Sequence, residues 1–154
     1  MAHALSQILD SVETALTGLT TAGPRVFREA VYPHPDSEVP GYRLEWVNDR
    51  LIPGSETFGK RETREATLLI EGRTKPSAGT EMSEQRLALL AEAQAALFAD
   101  RTLNKKVLWS ELQESRFDKT GRLERPAGIV EMFILYRYAI VGSDPTVLVY
   151  YGGA

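Results

Sequence analysis

The sequence predicts an α+β fold: a mainly antiparallel sheet of four to five strands with two helices packed on one face, plus projecting loops and a C-terminal extension. Two segments, Ala4 to Leu19 and Ser83 to Ala99, repeat their apolar residues at three- and four-residue spacing, the period of a helix with one buried stripe. Other segments alternate at period two or run as β-branched and aromatic blocks, the most apolar being GIVEMFILYRYAIVG from Gly128 to Gly142. The resulting order is helix, strands, helix, strands, with strands able to pair as antiparallel neighbours. One sheet face and two helix stripes then have to cover each other.

In the first helix Leu5, Ile8, Leu9, Val12, Ala15, Leu16 and Leu19 form the stripe, and Gly23-Pro24 supplies the stop. A short strand follows around Arg25 to Glu29. The prolines of VYPHPDSEVPG exclude regular pairing there and make it a loop. Tyr42 to Asn48 sets Tyr42, Leu44 and Trp46 against Arg43, Glu45 and Val47, as a strand with one buried face does. LIPGSETFG is turn or open loop. Lys60 to Thr74 begins as alternating charge and ends apolar, so its KRETR end is expected to project past the core.

In the second helix Leu87, Leu90, Ala91, Gln94, Leu97 and Phe98 are expected on the buried face, with Thr80 or Ser83 as N-cap and Glu81 and Glu84 favoured by the helix dipole. After ADRTLNKK, Val107 to Phe117 reads as a strand and DKTGR as a turn. In the long apolar stretch, Val130, Met132, Ile134, Tyr136, Tyr138 and Ile140 fall on one side and belong under the helices. The opposite side, with Glu131 and Arg137, is mixed. Val147 to Tyr151 is too apolar to stay in water and should dock on its own sheet as an edge strand, or on a neighbour.

At 154 residues the chain suits a single domain spanning 1–154. Its 18 basic and 21 acidic side chains give a net charge of −3, so no global basic field exists to hold a phosphate backbone. Without cysteine there is no disulfide framework and no thiolate chemistry, and an intracellular folding compartment fits. The opening MAHALSQILDSVETAL lacks the parts of a secretory signal and reads as mature protein. No uninterrupted apolar run reaches the length of a membrane-spanning helix, and the longest one carries Glu131 and Arg137 inside it, so no membrane partner is expected.

Catalytic chemistry finds little footing. His3 and His34 are the only histidines, too few for a nitrogen-ligated metal site, and no strained G-x-S-x-G turn offers a nucleophile. No phosphate-cradling glycine loop is present. The carboxylate pairs Glu62/Glu65 and Glu111/Glu114 read as solvated faces or ion pairs with Arg61, Arg64 and Arg116. The chain is therefore expected to be no enzyme and to need no cofactor. What stands out is a surplus of long strand and loop, which commonly finds its partner on another subunit. A small ligand-binding domain or enzyme using the sheet face is the alternative from a different class.

Several phrases carry a resemblance: an N-terminal helix ending near GPRVFRE, the strands YRLEWVN and TLLIEG, a helix ending ALFADRTL, and the late strand GIVEMFILYRYAI. Over roughly residues 4 to 142 the chain resembles the tail terminator (tail completion) proteins of long-tailed bacteriophages, the group of the lambda minor tail protein U. That resemblance implies a non-catalytic virion protein, assembled in the host cytoplasm and located at the head-proximal end of the tail. Such a protein forms a homo-hexameric ring on the major tail (tube) protein, stops polymerisation, and offers a surface to neck or head completion proteins. Phage DNA would pass through its lumen without sequence-specific binding. Another neck or head completion protein is the alternative within the same particles. The longer Tyr32 to Gly41 insertion and the extension from Ser143 depart from the family pattern. Interaction is expected at Arg61, Glu62, Arg64 and Glu65 of KRETRE, facing the lumen. It is also expected at Glu131 and Arg137 towards neighbouring subunits, and at Val147, Val149, Tyr150 and Tyr151 of the tail.

Overall fold

The computed structural model describes residues 2–28, 39–53, 61–75, 80–119, 128–142 and 144–151. Helix α1 (Ala4–Leu16) is followed by strands β1 (Val26–Arg28), β2 (Gly41–Leu51) and β3 (Glu62–Arg73). Helix α2 (Thr80–Phe98) then precedes β4 (Trp109–Lys119), β5 (Gly128–Val141) and β6 (Asp144–Val149). The six strands form one sheet in the order β1-β2-β3-β5-β4, with β6 also on β5. The α+β architecture matches expectation, with one strand more than the expected four to five. All pairings are antiparallel except β1 with β2, which is parallel.

One edge of β5 carries two strands in line: β4 pairs with Gly128 to Arg137, and β6 with Ala139 to Val141. Of the two placements open to the apolar tail, docking on its own sheet is the one adopted. Gln7 fastens it from α1 by donating to the Thr146 carbonyl at 2.6 Å. Asp144 turns the chain into β6 by accepting from the Thr146 amide and hydroxyl, and these bonds hold its carboxyl below the usual range.

Period-two alternation sorts the sheet. Val130, Met132, Ile134, Tyr136, Tyr138 and Ile140 of β5 are all buried, joining Ala66, Leu68 and Ile70 of β3 and Tyr42 and Leu44 of β2. Above them lie Ala4, Ile8, Val12 and Leu16 of α1 and Leu89, Ala93 and Leu97 of α2, in one apolar cluster. Tyr42 donates its hydroxyl to the Leu89 carbonyl at 2.5 Å, tying β2 to α2. Among the described residues, both helices sit on this inner face.

Local chemistry moves several boundaries. The first helix ends at Leu16, before the expected Leu19, because Gly18 takes the left-handed conformation (φ +89°) just past the Thr17 cap. Leu19 and Gly23 close a tight turn beyond it. His3 caps the start of α1, its Nδ1 accepting from the Leu5 amide at 3.1 Å. The strand expected at Tyr42 to Asn48 runs on to Leu51 because a bulge at Val47 resets its pairing. β4 starts at Trp109 and reaches Lys119, two residues past the expected end and into the expected DKTGR turn. Residues 29–38 of the Pro-rich loop, 54–60, 76–79, 120–127 and 152–154 lie outside the described residues, and so do His34 and the rest of the DKTGR turn.

Two expectations are corrected. The KRETR end does not project: Leu51↔Arg64 and Arg64↔Tyr138 place it between two strands, and Thr63 and Glu65 are buried. The buried stripe of α2 is Met82, Leu89, Ala93 and Leu97, while Leu87 is exposed. Gly72 sets that register, because the missing side chain leaves the notch that Leu89 occupies. A Cβ on Gly72 would stand 2.9 Å from Val130 Cγ1 and 3.4 Å from Leu89 Cβ. Thr80 is the first residue of the helix and its N-cap position lies outside the described residues.

ADRTLNKK forms a compact turn. Leu103, Asn104 and Lys105 all have positive φ (48°, 56° and 63°), a conformation that L-residues reach only with support. Asp100 provides it, accepting from the Thr102 hydroxyl and amide and from the Asn104 amide, which keeps its carboxyl ionised to lower pH than usual. Leu103 is buried, and the turn delivers the Leu108 amide to the Arg137 carbonyl at 2.7 Å, where β4 begins.

Replacing Gly72 by valine should lift α2 from the sheet and cost about 1–3 kcal/mol of stability, read from the midpoint of urea unfolding. An unchanged midpoint would refute the notch.

Candidate assembly surface

The second sheet face carries no helix among the described residues. Its side chains are the other half of each strand's alternation: Arg43 and Glu45 of β2, Glu65, Thr67, Leu69, Glu71 and Arg73 of β3, and Glu131, Phe133, Leu135 and Arg137 of β5. Trp109, Glu111, Glu114 and Arg116 continue it on β4. The face is polar yet tightly held. Leu69, Phe133 and Leu135 form a half-buried apolar strip in its middle.

Two ion-pair groups flank that strip. In the first, Glu65 accepts from Arg50 and from Arg137, each at 2.7 Å. These three residues are directly opposite in register across β2, β3 and β5. Glu65 has only 9% of its side chain exposed, against 74% for Arg50 and 44% for Arg137. The hydrogen bonds from Arg50 and Arg137 hold its carboxyl below the usual range, outweighing the opposing effect of burial. In the second group, Arg43 and Arg73 both reach Glu71. Arg116 pairs with Glu114 and lies over the Phe133 ring at 5.0 Å. Glu131 is opposite both Glu71 and Arg116.

The interaction residues expected from sequence separate into three places. Glu65 and Arg137 meet in one group and Glu131 shares their face, so of the four KRETRE residues expected to line a lumen Glu65 lies with the two expected to meet neighbours. Glu62 and Arg64 pair with each other on the helix-side face at one end of the sheet. Arg64 also reaches Asp49 at 3.2 Å, and Tyr138 donates to Asp49 at 2.7 Å. Burial, with Asp49 beside it, pushes the Tyr138 phenol well above its ordinary pKa. The tail supplies the third place. Tyr151 lies under Arg61 at 3.8 Å with its hydroxyl 3.0 Å from Thr63 Oγ1, Tyr150 is exposed near Lys105, and Val147 and Val149 are half-buried in β6.

Arg50 and Trp109 were not legible as part of this surface, nor was Asp49 as a partner of Arg64 and Tyr138 on the helix-side face. The bulge at Val47 turns Asp49 inward and Arg50 outward, and a bulge leaves no mark on simple alternation. Trp109 is 46% exposed beside Arg101, whose guanidinium is 5.1 Å from its ring.

The two layers define an α+β protein whose sheet has one helix-covered face and, among the described residues, one bare face. Among the described residues no group of three or more His, Asp or Glu side chains is placed to hold a metal ion, and no helix is long and apolar enough to cross a membrane. No family model matches the chain, and no curated protein matches it. Among solved structures it is similar to a chain described as "Virion of native gene transfer agent (GTA) particle", with a TM-score of 0.37 and 15% identity over 88% of this chain and 90% of that one. A likeness this low in both measures carries no argument about function.

The Glu65 group has a pH signature. A carboxyl whose folded pKa is depressed contributes stability above its unfolded pKa, about 4.3, and loses it as pH falls through the folded value. Wild type should exceed Glu65→Gln by about 1–2 kcal/mol at pH 7, and the gap should shrink steadily below pH ~4.3. Urea unfolding across this range checks it, and a gap independent of pH would contradict the assigned ion pairs.

Proposed function

We propose that the protein is a structural virion subunit of a phage-type particle, closing the end of a tail tube as a homo-hexameric ring to which neck or head proteins attach. The observation that carries this reading is the sheet face that bears no helix among the described residues, where Arg43, Arg50, Arg73, Arg116 and Arg137 are each ion-paired. A face of this kind suits the inner wall of a ring. Its acidic side chains Glu45, Glu65, Glu71, Glu111, Glu114, Asp118 and Glu131 outnumber Arg43, Arg50, Arg73, Arg116 and Arg137. Such a wall has no surplus of positive charge to retain a DNA backbone moving past it.

In this arrangement the helices face outward and the sheet edges meet neighbouring subunits. The tail aromatics Tyr150 and Tyr151, at the same end of the sheet as Arg61 and Glu62, are suited to contact the next layer of the particle. Aromatic and arginine side chains are the residues that carry most interface energy. The resemblance in the sequence to tail terminator proteins supports the same reading.

Negative-stain microscopy of the protein with growing tail tubes tests it. Ring-shaped caps and tubes that stop lengthening are expected, with tail-less capsids left bare. Binding to the capsids in place of the tubes would assign the protein to head completion, and binding to neither would overturn the proposal.

A further inference from the structure

Among the described residues the sheet ends in two edges that no strand fully covers. On β2, the strand β1 occupies only Tyr42 to Leu44, so Glu45 to Leu51 have no described strand beside them on that side. On β4, the side away from β5 is likewise without a described strand. Both edges carry exposed apolar side chains, Val47 and Leu51 on β2 and Trp109 and Phe117 on β4. An unpaired edge of this length with apolar side chains along it is a template for another strand.

We propose that β4 of one copy pairs with the Glu45 to Leu51 edge of β2 on a second copy, extending the sheet across the subunit boundary. Strand direction is the first argument. Three successive antiparallel pairings, β2 with β3, β3 with β5 and β5 with β4, leave β2 and β4 running in opposite directions. Two copies placed side by side in the same orientation therefore present antiparallel edges to each other.

Charge gives the register. Setting Arg116 opposite Glu45 of the second copy also sets Glu111 opposite its Arg50, because the two spacings are equal. All four lie on the bare face and are exposed. Each strand carries one bulge, at Val47 and at Gln113, and in this register the bulges fall side by side. Inner residues stay opposite inner ones on both sides of them, Ser115 with Trp46 and Leu112 with Asp49. In this register the neighbour's Ser110 to Arg116 lie against Leu51 to Glu45, and its Phe117 to Lys119 turn off the edge, because β1 already pairs with Tyr42 to Leu44. Because the two patches differ, the contact is head-to-tail and propagates into a ring when its rotation closes.

This interface rests on the ring reading above, and the test separates the two. Assembly of wild type, Arg116→Glu, Glu45→Arg and the double variant is followed by light scattering and on tail tubes. Circular dichroism monitors the fold. Each single swap sets like charges opposite and should weaken assembly roughly tenfold or more, and the double variant should restore it. The chain has no cysteine, so Gln113→Cys with Asn48→Cys, which are opposite in this register, should give a ladder of covalent oligomers on oxidation. Either cysteine alone should give none. Wild-type assembly that ignores the swaps and yields no ladder would overturn the edge pairing and leave the ring standing. A wild type that assembles neither alone nor on tubes would overturn both.

Discussion

The uninterrupted register between β3 and β5, from Glu62↔Ile140 to Arg73↔Ile129, is the constraint on which the rest of the structure depends. Because side chains alternate with period two, this one pairing decides which half of each strand enters the core and which half stays on the bare face. It stacks Leu68 on Ile134 and Ile70 on Met132 beneath the helices, and on the other side it places Glu65 against Arg137. A slip by one residue would turn one of the two strands over, carrying either Arg137 or Glu65 under the helices and away from its ion-pair partner. The buried apolar set and the ion-paired set thus enforce the same register from opposite faces.

The strain-bearing and notch features serve that pairing. Gly72 allows α2 to lie close over β3 and β5, and Tyr42 fixes it from β2. The Asp100 turn holds three left-handed residues so that β4 enters beside β5 at Arg137. Where β4 leaves the edge of β5, β6 takes it over. Among the described residues the result is a sheet whose middle is fully paired, whose lateral edges carry no further strand, and whose helices lie on one side. In a ring of such subunits, edge pairing would join the sheets while the helices stay outside, and the ion-paired face would form the wall.

Much of the fold was legible because its strongest patterns are local. The alternation of GIVEMFILYRYAI named the buried face of β5 residue by residue, and α1 has apolar residues on one side only. Helix α2 was misread because apolar residues occur around much of it: Leu87 and Leu90 are as plausible as Leu89 until Gly72 on another strand selects between them. KRETR looked like a solvent-facing end because charge usually seeks water, yet Arg50 and Arg137 from flanking strands make Glu65 buriable. Of the candidate surface, Glu65, Glu131 and Arg137 were visible in the alternation. Arg50 and Trp109 were not, since a bulge and a turn from elsewhere in the chain bring them in.

The central claim, that subunits join along their sheet edges with helices outward, is tested most directly by hydrogen–deuterium exchange of the free and assembled protein. Alternate amides of Ser110 to Arg116 on β4, and of Glu45 to Leu51 on β2, point away from their described partners and are expected to exchange readily in the free protein. Assembly should slow exchange in both segments and leave α1 and α2 unchanged. Protection gained on the helices, with the two edges exchanging as fast as before, would contradict the account.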